Sequence, residues 1–215
     1  NPDTRLVGDV ALATSVDWMK KHSEAGIMSC KLVNEAGKLN INEGPRRFPK
    51  VLEQIALILK IHHIFPRILK KYHYQDLDLD KIQEVNSVRG SFILVRREII
   101  DKLGQAFDPR FFIWFEEVDL CREVRKMGYK IIYNPEITCV DLVGQTFKTF
   151  NSVWRQKQFT GSMLLYFKKW EPWWKWVWIW LARPIGIGLT FLYCTIKKFH
   201  HEAIRSIRSS DNLNL

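Results

Sequence analysis

Phe111-Phe112-Ile113-Trp114-Phe115-Glu116-Glu117-Val118-Asp119-Leu120-Cys121 sets an aromatic run directly against three acids. Leu120, Cys121, Val124 and Met127 then recur at helical spacing, with Arg122, Glu123, Arg125 and Lys126 between them, the period of an amphipathic helix. Gly128 follows basic residues and supplies the C-terminal stop. This pattern predicts a buried aromatic strand delivering Glu116, Glu117 and Asp119 to the first turn of a helix. There the backbone dipole favours negative charge, and a carboxylate is placed to accept a proton. Acids that merely complement the dipole would look the same, so the flanking segments decide.

Upstream, Val88-Arg89-Gly90-Ser91-Phe92-Ile93-Leu94-Val95-Arg96-Arg97 reads as a strand over residues 92–95. Gly90 before it suggests a close backbone approach. A short helix and Phe107-Asp108-Pro109-Arg110 lead into the aromatic run. Downstream, residues 128–136 read as a strand ending in a turn. Nearer the start, residues 10–21 read as a helix and 26–32 as a strand. Asn34-Glu35-Ala36-Gly37 turns into residues 38–41 to make a small hairpin. Residues 51–71 form an apolar helical stretch bearing Lys60, Arg67, Lys70 and Lys71. Asp and Leu alternate over residues 76–80, a solvated loop that lacks the spacing and Gly of an EF-hand.

An apolar content of 47% over 215 residues is ample for a core. Cys30, Cys121, Cys139 and Cys194 show no CxxC spacing or disulfide framework, which suits small buried side chains in a reducing compartment. The formal net charge of +10 calls for an anionic partner. Nucleic acid is one candidate, but the aromatics do not alternate with basic residues on a strand platform and no nucleic-acid motif is present. A membrane surface with anionic lipids fits better.

The tail makes that case directly. Trp170, Trp173, Trp174, Trp176, Trp178 and Trp180 crowd together, and tryptophan favours the bilayer interface. Residues 177–196 are nearly continuous apolar sequence, close to the ~20 residues needed to span. Arg183 interrupts it at a cost of roughly 2.5–3.5 kcal/mol on insertion scales, and Pro184, Gly186 and Gly188 invite a break. Lysines flank both ends, so a single span, a helical hairpin and an in-plane helix all remain open. A buried or dimerising helix is the competing reading, against which the charged rims count.

Taken in order, Asn1-Pro2-Asp3, the Gly90 segment, the acidic motif, the strand after Gly128, Val140-Asp141-Leu142-Val143-Gly144 and Tyr166-Phe167-Lys168-Lys169 resemble glycosyltransferase family 2, in its bacterial rhamnosyltransferase-like branch. The resemblance covers Asn1 to about Trp170. It implies an α/β fold: an incomplete GT-A mixed sheet with flanking helices over residues 1–169, followed by a Trp-rich, membrane-associated helical tail over 170–215. Because Asn1-Pro2-Asp3 matches the family's mid-domain metal motif, a nucleotide-binding half is expected to precede it. The chain is then expected to be a fragment, inactive by itself.

The implied activity is metal-dependent transfer of a sugar such as rhamnose, with inversion, from a nucleotide-sugar donor to a lipid-linked or polysaccharide acceptor at the cytoplasmic face of the membrane, with no nucleic acid involved. The resemblance places the base in the Glu116-Glu117 pair, with Glu117 where the family has Asp. It makes Asp3 and Asn1 ligands of Mg²⁺ or Mn²⁺, hard cations suited to oxygen. Asp141 stands where the family commonly has His, near diphosphate and metal; as Asp it can ligate a cation but cannot donate to phosphate when ionised. Arg155 is expected on the diphosphate. Asp119 and Gly90 are expected to support the site, Asp119 by orienting the helix or a neighbouring Arg. Arg122 receives no role. Glu117 and Asp141 as departures leave a non-catalytic membrane-bound relative as one alternative and a basic nucleic-acid-binding protein as another.

Overall fold

The structure is a computed structural model that describes residues 3–8, 11–39, 44–142 and 150–211, with side chains described as far as Phe199. It is a mixed α/β arrangement built around one long strand, β5 (Lys130–Asp141). Parallel to β5 along one edge runs β2 (Ala25–Val33). Its other edge carries two short antiparallel strands, β1 (Thr4–Leu6) at the far end and β3 (Gln83–Val85) at the near end. The two-residue strand β4 (Leu94–Val95) pairs antiparallel with β2, shorter than the sequence suggests.

Both faces of the sheet are covered, which is why β2 reads as a nearly unbroken apolar run. Alternation along the strands divides the core. Ile27, Ile131 and Val85 face α3 (Arg97–Leu103) and α4 (Glu116–Lys126), packing on Ile99, Leu120, Cys121 and Val124. Met28, Ile132 and Cys139 face α1 (Ala11–Lys21), packing on Ala11 and Met19. Gly26 is where backbone approaches closely: a Cβ there would lie 2.6 Å from Tyr129 Cβ and 2.7 Å from Val124 Cγ1. At Gly90 a Cβ would meet only Glu117 Cβ at 3.9 Å, an ordinary contact, so the close approach expected there is absent.

A second, helical core holds α2 (Val51–Ile58), α5 (Ser152–Trp170) and α6 (Trp173–Asp211) against the start of α4. Phe111, Phe115, Val118, Tyr166, Phe167 and Ile179 meet there. The aromatic run is therefore not a strand. It is a bent segment whose Trp114 and Phe115 take left-handed φ of 62° and 70°, conformations costly for residues other than Gly. Phe115 packs on Phe159 and Tyr166 at ring separations of 5.6 and 5.5 Å, and the Ser162 hydroxyl donates to the Ile113 carbonyl at 2.7 Å. Contacts with α5 hold what the local backbone disfavours.

Three other expectations change. Residues 51–71 do not form one helix: α2 stops at Ile58, Lys60 turns left-handed at φ 62°, and two 3₁₀ turns follow, the second opened by Pro66. The strand after Gly128 does not end at Pro135; β5 runs through it with a register shift, Cys30 facing Asn134 and Lys31 facing Thr138. Proline is tolerated at such bulges, and Asn134 Oδ1 caps this one by accepting from Glu136 N at 3.0 Å. The tail is a single helix passing through Pro184. Its Gly186 is a contact rather than a hinge: a Cβ there would fall 2.5 Å from the Ile58 carbonyl oxygen on α2. The hairpin after Gly37 is present as one bridge, Val33 to Leu39; residues 40–43 lie outside the described residues.

Helix α6 is long and apolar enough between Trp173 and Phe199 to cross a membrane by length and composition, with a mean hydropathy of 1.4 and 22% of that window buried. Its inner side carries Ile179, Ala182, Gly186 and Thr190; its outer side leaves Trp174, Trp178, Ile185, Phe191, Leu192 and Ile196 exposed.

Candidate functional site

The acids do open a helix: Glu116, Glu117 and Asp119 form the first turn of α4. Their environments differ. Asp119 is 2% exposed and accepts from Lys169 Nζ and Trp170 Nε1, each at 2.7 Å. Its partner is thus a lysine on α5, not an arginine, and its role is to tie the end of α5 to the start of α4. Glu117 is buried, with Oε1 3.8 Å from Arg89 Nη1 and Oε2 without a hydrogen-bond partner. Glu116 is half-buried with its own Oε2 sequestered and unpartnered. Burial first, and then the charge of Glu117, push its pKa up to about 7. The neutral form of Glu116 is therefore favoured next to the Glu117 charge.

Positive charge continues from Arg89, beside Glu117, to Arg46. Arg46 Nη1 lies 3.1 Å from His73 Nδ1 and over the ring of Tyr72. Burial, then the charges of Arg46 and Arg89, hold His73 down to about 4, so at neutral pH the imidazole is uncharged between two arginines. Residues 46, 73, 89 and 117 are far apart in sequence; Glu117 and Arg89 stand in segments quoted above, whereas no sequence motif linked Arg46 and His73 to them.

From Glu117 the site continues to the strand ends. Gly90 comes next in space: a Cβ built there would stand 3.9 Å from Glu117 Cβ. The next residue, Ser91, donates its hydroxyl to Asp141 Oδ2 at 2.6 Å and its carbonyl accepts from Thr4 Oγ1 at 3.3 Å. Thr4 is the register partner of Asp141, and Asp3 O accepts from Leu142 N at 2.9 Å. A cleft of about 370 Å³ opens here between Thr4, Ser91, Phe92 and Phe107. Asp3 and Asp141 thus stand at one end of β1 and β5. The backbone brings these two acids to the same strand end, and carboxylate oxygen is the ligand type that hard cations such as Mg²⁺ take. Among the described residues no group of three or more His, Cys, Asp or Glu is gathered for a metal, and Asn1 lies outside the described residues.

Arg155 sits elsewhere. It is exposed on the first turns of α5 and lines a larger cavity, about 730 Å³, between α5, α6 and the turn at Lys60. Arg122 donates to Tyr166 Oη and to Glu171 Oε1, both at 3.0 Å, and its guanidinium lies among the rings of Phe48, Tyr166 and Trp170. It is a packing and ion-pair residue that pins α5 to α4. Comparison with known proteins adds nothing to this geometry: no family model matches the chain, and no curated protein matches it.

Proposed function

We propose that this chain is part of a glycosyltransferase of the GT-A, family 2 type, acting at a membrane surface on a nucleotide-sugar donor and a lipid-linked or polysaccharide acceptor. The observation that carries the reading is the continuous line from Glu117 through Gly90, Ser91 and Asp141 to Thr4 and Asp3. Four segments remote in sequence, singled out for one chemistry, adjoin in that chemistry's order: proton acceptor, then a place for an anion, then metal ligands.

Inverting transfer needs a base for the acceptor hydroxyl and stabilisation of the departing diphosphate. Glu117 takes the acceptor proton. Glu116, the neighbouring acid in the same helical turn, is the second candidate for that role. Arg89, 3.8 Å from Glu117, supplies positive charge beside the proposed base. Asp3 and Asp141 would hold Mg²⁺ or Mn²⁺, which when bound stabilises the leaving diphosphate; Ser91 fixes the rotamer of Asp141 for that purpose.

What supports the membrane part of the reading is helix α6. Its outer face is apolar and Trp-rich, whereas its inner face is packed on α2 and α5, with Arg183 donating to Thr160 and to the Lys157 carbonyl. Crossing the bilayer would drag these polar neighbours into hydrocarbon, so α6 lies in the interface plane. The test is sugar transfer by membranes carrying the complete reading frame that contains this chain, with metal and a panel of nucleotide sugars. Release of nucleoside diphosphate coupled to acceptor glycosylation is expected; its absence with every donor, in protein that binds membranes normally, points to a non-catalytic relative.

A further inference from the structure

The cavity between α5, α6 and the Lys60 turn is not used by the transfer reaction. Its walls divide by chemistry. Trp114, Phe159, Leu189 and Tyr193 form an apolar side that runs onto the exposed face of α6. Lys60, Arg155 and Gln156 form a polar side. Lys60 is half-buried, and its ammonium donates to Gln156 Oε1 at 2.9 Å. Gln156 is 7% exposed, and its Nε2 has no hydrogen-bond partner. Among the described residues no carboxylate lies within ion-pair distance of Lys60, Arg155 or the nearby Arg183. Burial lowers the pKa of Lys60, with no acid to counter it. The cavity also opens at the start of α5, whose first turn carries no acid and whose dipole is positive there.

A desolvated lysine facing a neutral amide, beside an orphaned amide donor, is costly unless an anion arrives. An apolar channel leading from that point toward a membrane-facing helix specifies what the anion is attached to. We propose that this cavity binds a single membrane lipid through its phosphate headgroup, with Lys60 and Arg155 on the phosphate, Gln156 holding the Lys60 ammonium in place, and Trp114, Phe159 and Leu189 along the first part of the chain. The volume of about 730 Å³ lies within the usual range for small-molecule sites, ~300–1,000 Å³; it takes the headgroup and upper chain while the rest lies along α6. The inference rests on α6 meeting a bilayer but not on the transfer reaction.

Retention of phosphatidic acid by the purified chain, measured by native mass spectrometry from mild detergent, tests it. Phosphatidic acid is expected to stay bound, diacylglycerol with the same chains to be lost, and excess inorganic phosphate to leave the bound lipid in place. Lys60→Gln combined with Arg155→Gln should cut retention about tenfold, the loss of one to two charged contacts. Leu189→Trp, which fills the channel without touching a charge, should do the same. Lys168→Gln with Lys175→Gln, outside the cavity, should retain lipid as the parent does. Equal retention of diacylglycerol, displacement by free phosphate, or full retention by both cavity variants would overturn the proposal. Flotation on vesicles separates the two readings: a chain that floats yet holds no phosphatidic acid refutes the cavity site alone, whereas one that holds it but never floats refutes the membrane placement of α6.

Discussion

Gly186 and Gly188 lie two residues apart on α6 yet should respond oppositely to the same substitution. At Gly186 an added Cβ would fall 2.5 Å from both Ile58 O and Ile58 Cγ2, whereas at Gly188 it would meet nothing within 4 Å. Alanine in place of glycine favours a helix by about 1 kcal/mol, so Gly188→Ala should stabilise by about that much. Gly186→Ala gains the same propensity but must push α6 away from the α2 backbone, which cannot rotate aside as a side chain would. Overpacking of this kind costs about 1–3 kcal/mol, and a clash with a main-chain oxygen belongs at the upper end, leaving a net loss of about 1–2 kcal/mol. The gap between the variants is then about 2–3 kcal/mol, or roughly 5–10 °C in Tm for a domain of this size. Thermal unfolding in non-ionic detergent, followed by far-ultraviolet circular dichroism, reads it directly. Equal melting temperatures for the two variants would show that α6 does not rest on α2 at Gly186.

Glu116 has a folded pKa raised to about 7 from 4.5, so its contribution to stability is fully present below about pH 4.5 and is lost as pH rises through 7; at 1.36 kcal/mol per unit the loss is up to about 3 kcal/mol. Glu116→Gln should flatten this slope and melt above the parent at pH 8; an unchanged pH dependence would mean that the carboxyl is solvated. Lys169→Met should cost about 3–5 kcal/mol, because it strands the buried Asp119 carboxylate, while adding Asp119→Leu should recover much of that in chemical denaturation; no recovery would place the loss in packing alone. Replacing Trp178, Phe191 and Leu192 on the outer face of α6 by Ser should weaken vesicle binding more than tenfold, since each buried large apolar side chain is worth about 1.5–3 kcal/mol; undiminished flotation would assign the membrane contact to another surface.

The elements with clear periodicity were legible. Helix α4 and its Gly128 stop, α1 and β2 follow from apolar spacing and glycine placement. What misled was identity without context. The aromatic run looks like a strand because five bulky residues in a row suit one, yet Trp114 and Phe115 are held left-handed by Phe159, Tyr166 and Ser162, some fifty residues away. Pro135 and Gly186 look like stops, but one sits in a bulge and the other fits the α2 backbone. The candidate site was half legible. The acids, Asp3 and Asp141 stand in quotable motifs, whereas Arg46, His73 and Ser91 join them only through sheet register and loop packing. Lys60 acquires meaning from Gln156, ninety-six residues further along the chain.

The most direct measurement is the turnover of two single variants, Glu117→Gln and Glu116→Gln, in the complete reading frame with saturating metal and donor. Glu117→Gln should lower kcat by roughly 10²–10⁴-fold while donor affinity stays near that of the parent, because the lost group meets the acceptor proton only during reaction. Glu116→Gln should keep measurable turnover, since the group that accepts the proton is still in place. A dead Glu116→Gln beside an active Glu117→Gln would move the base to Glu116, and two fully active variants would contradict the assignment of this acidic turn to catalysis.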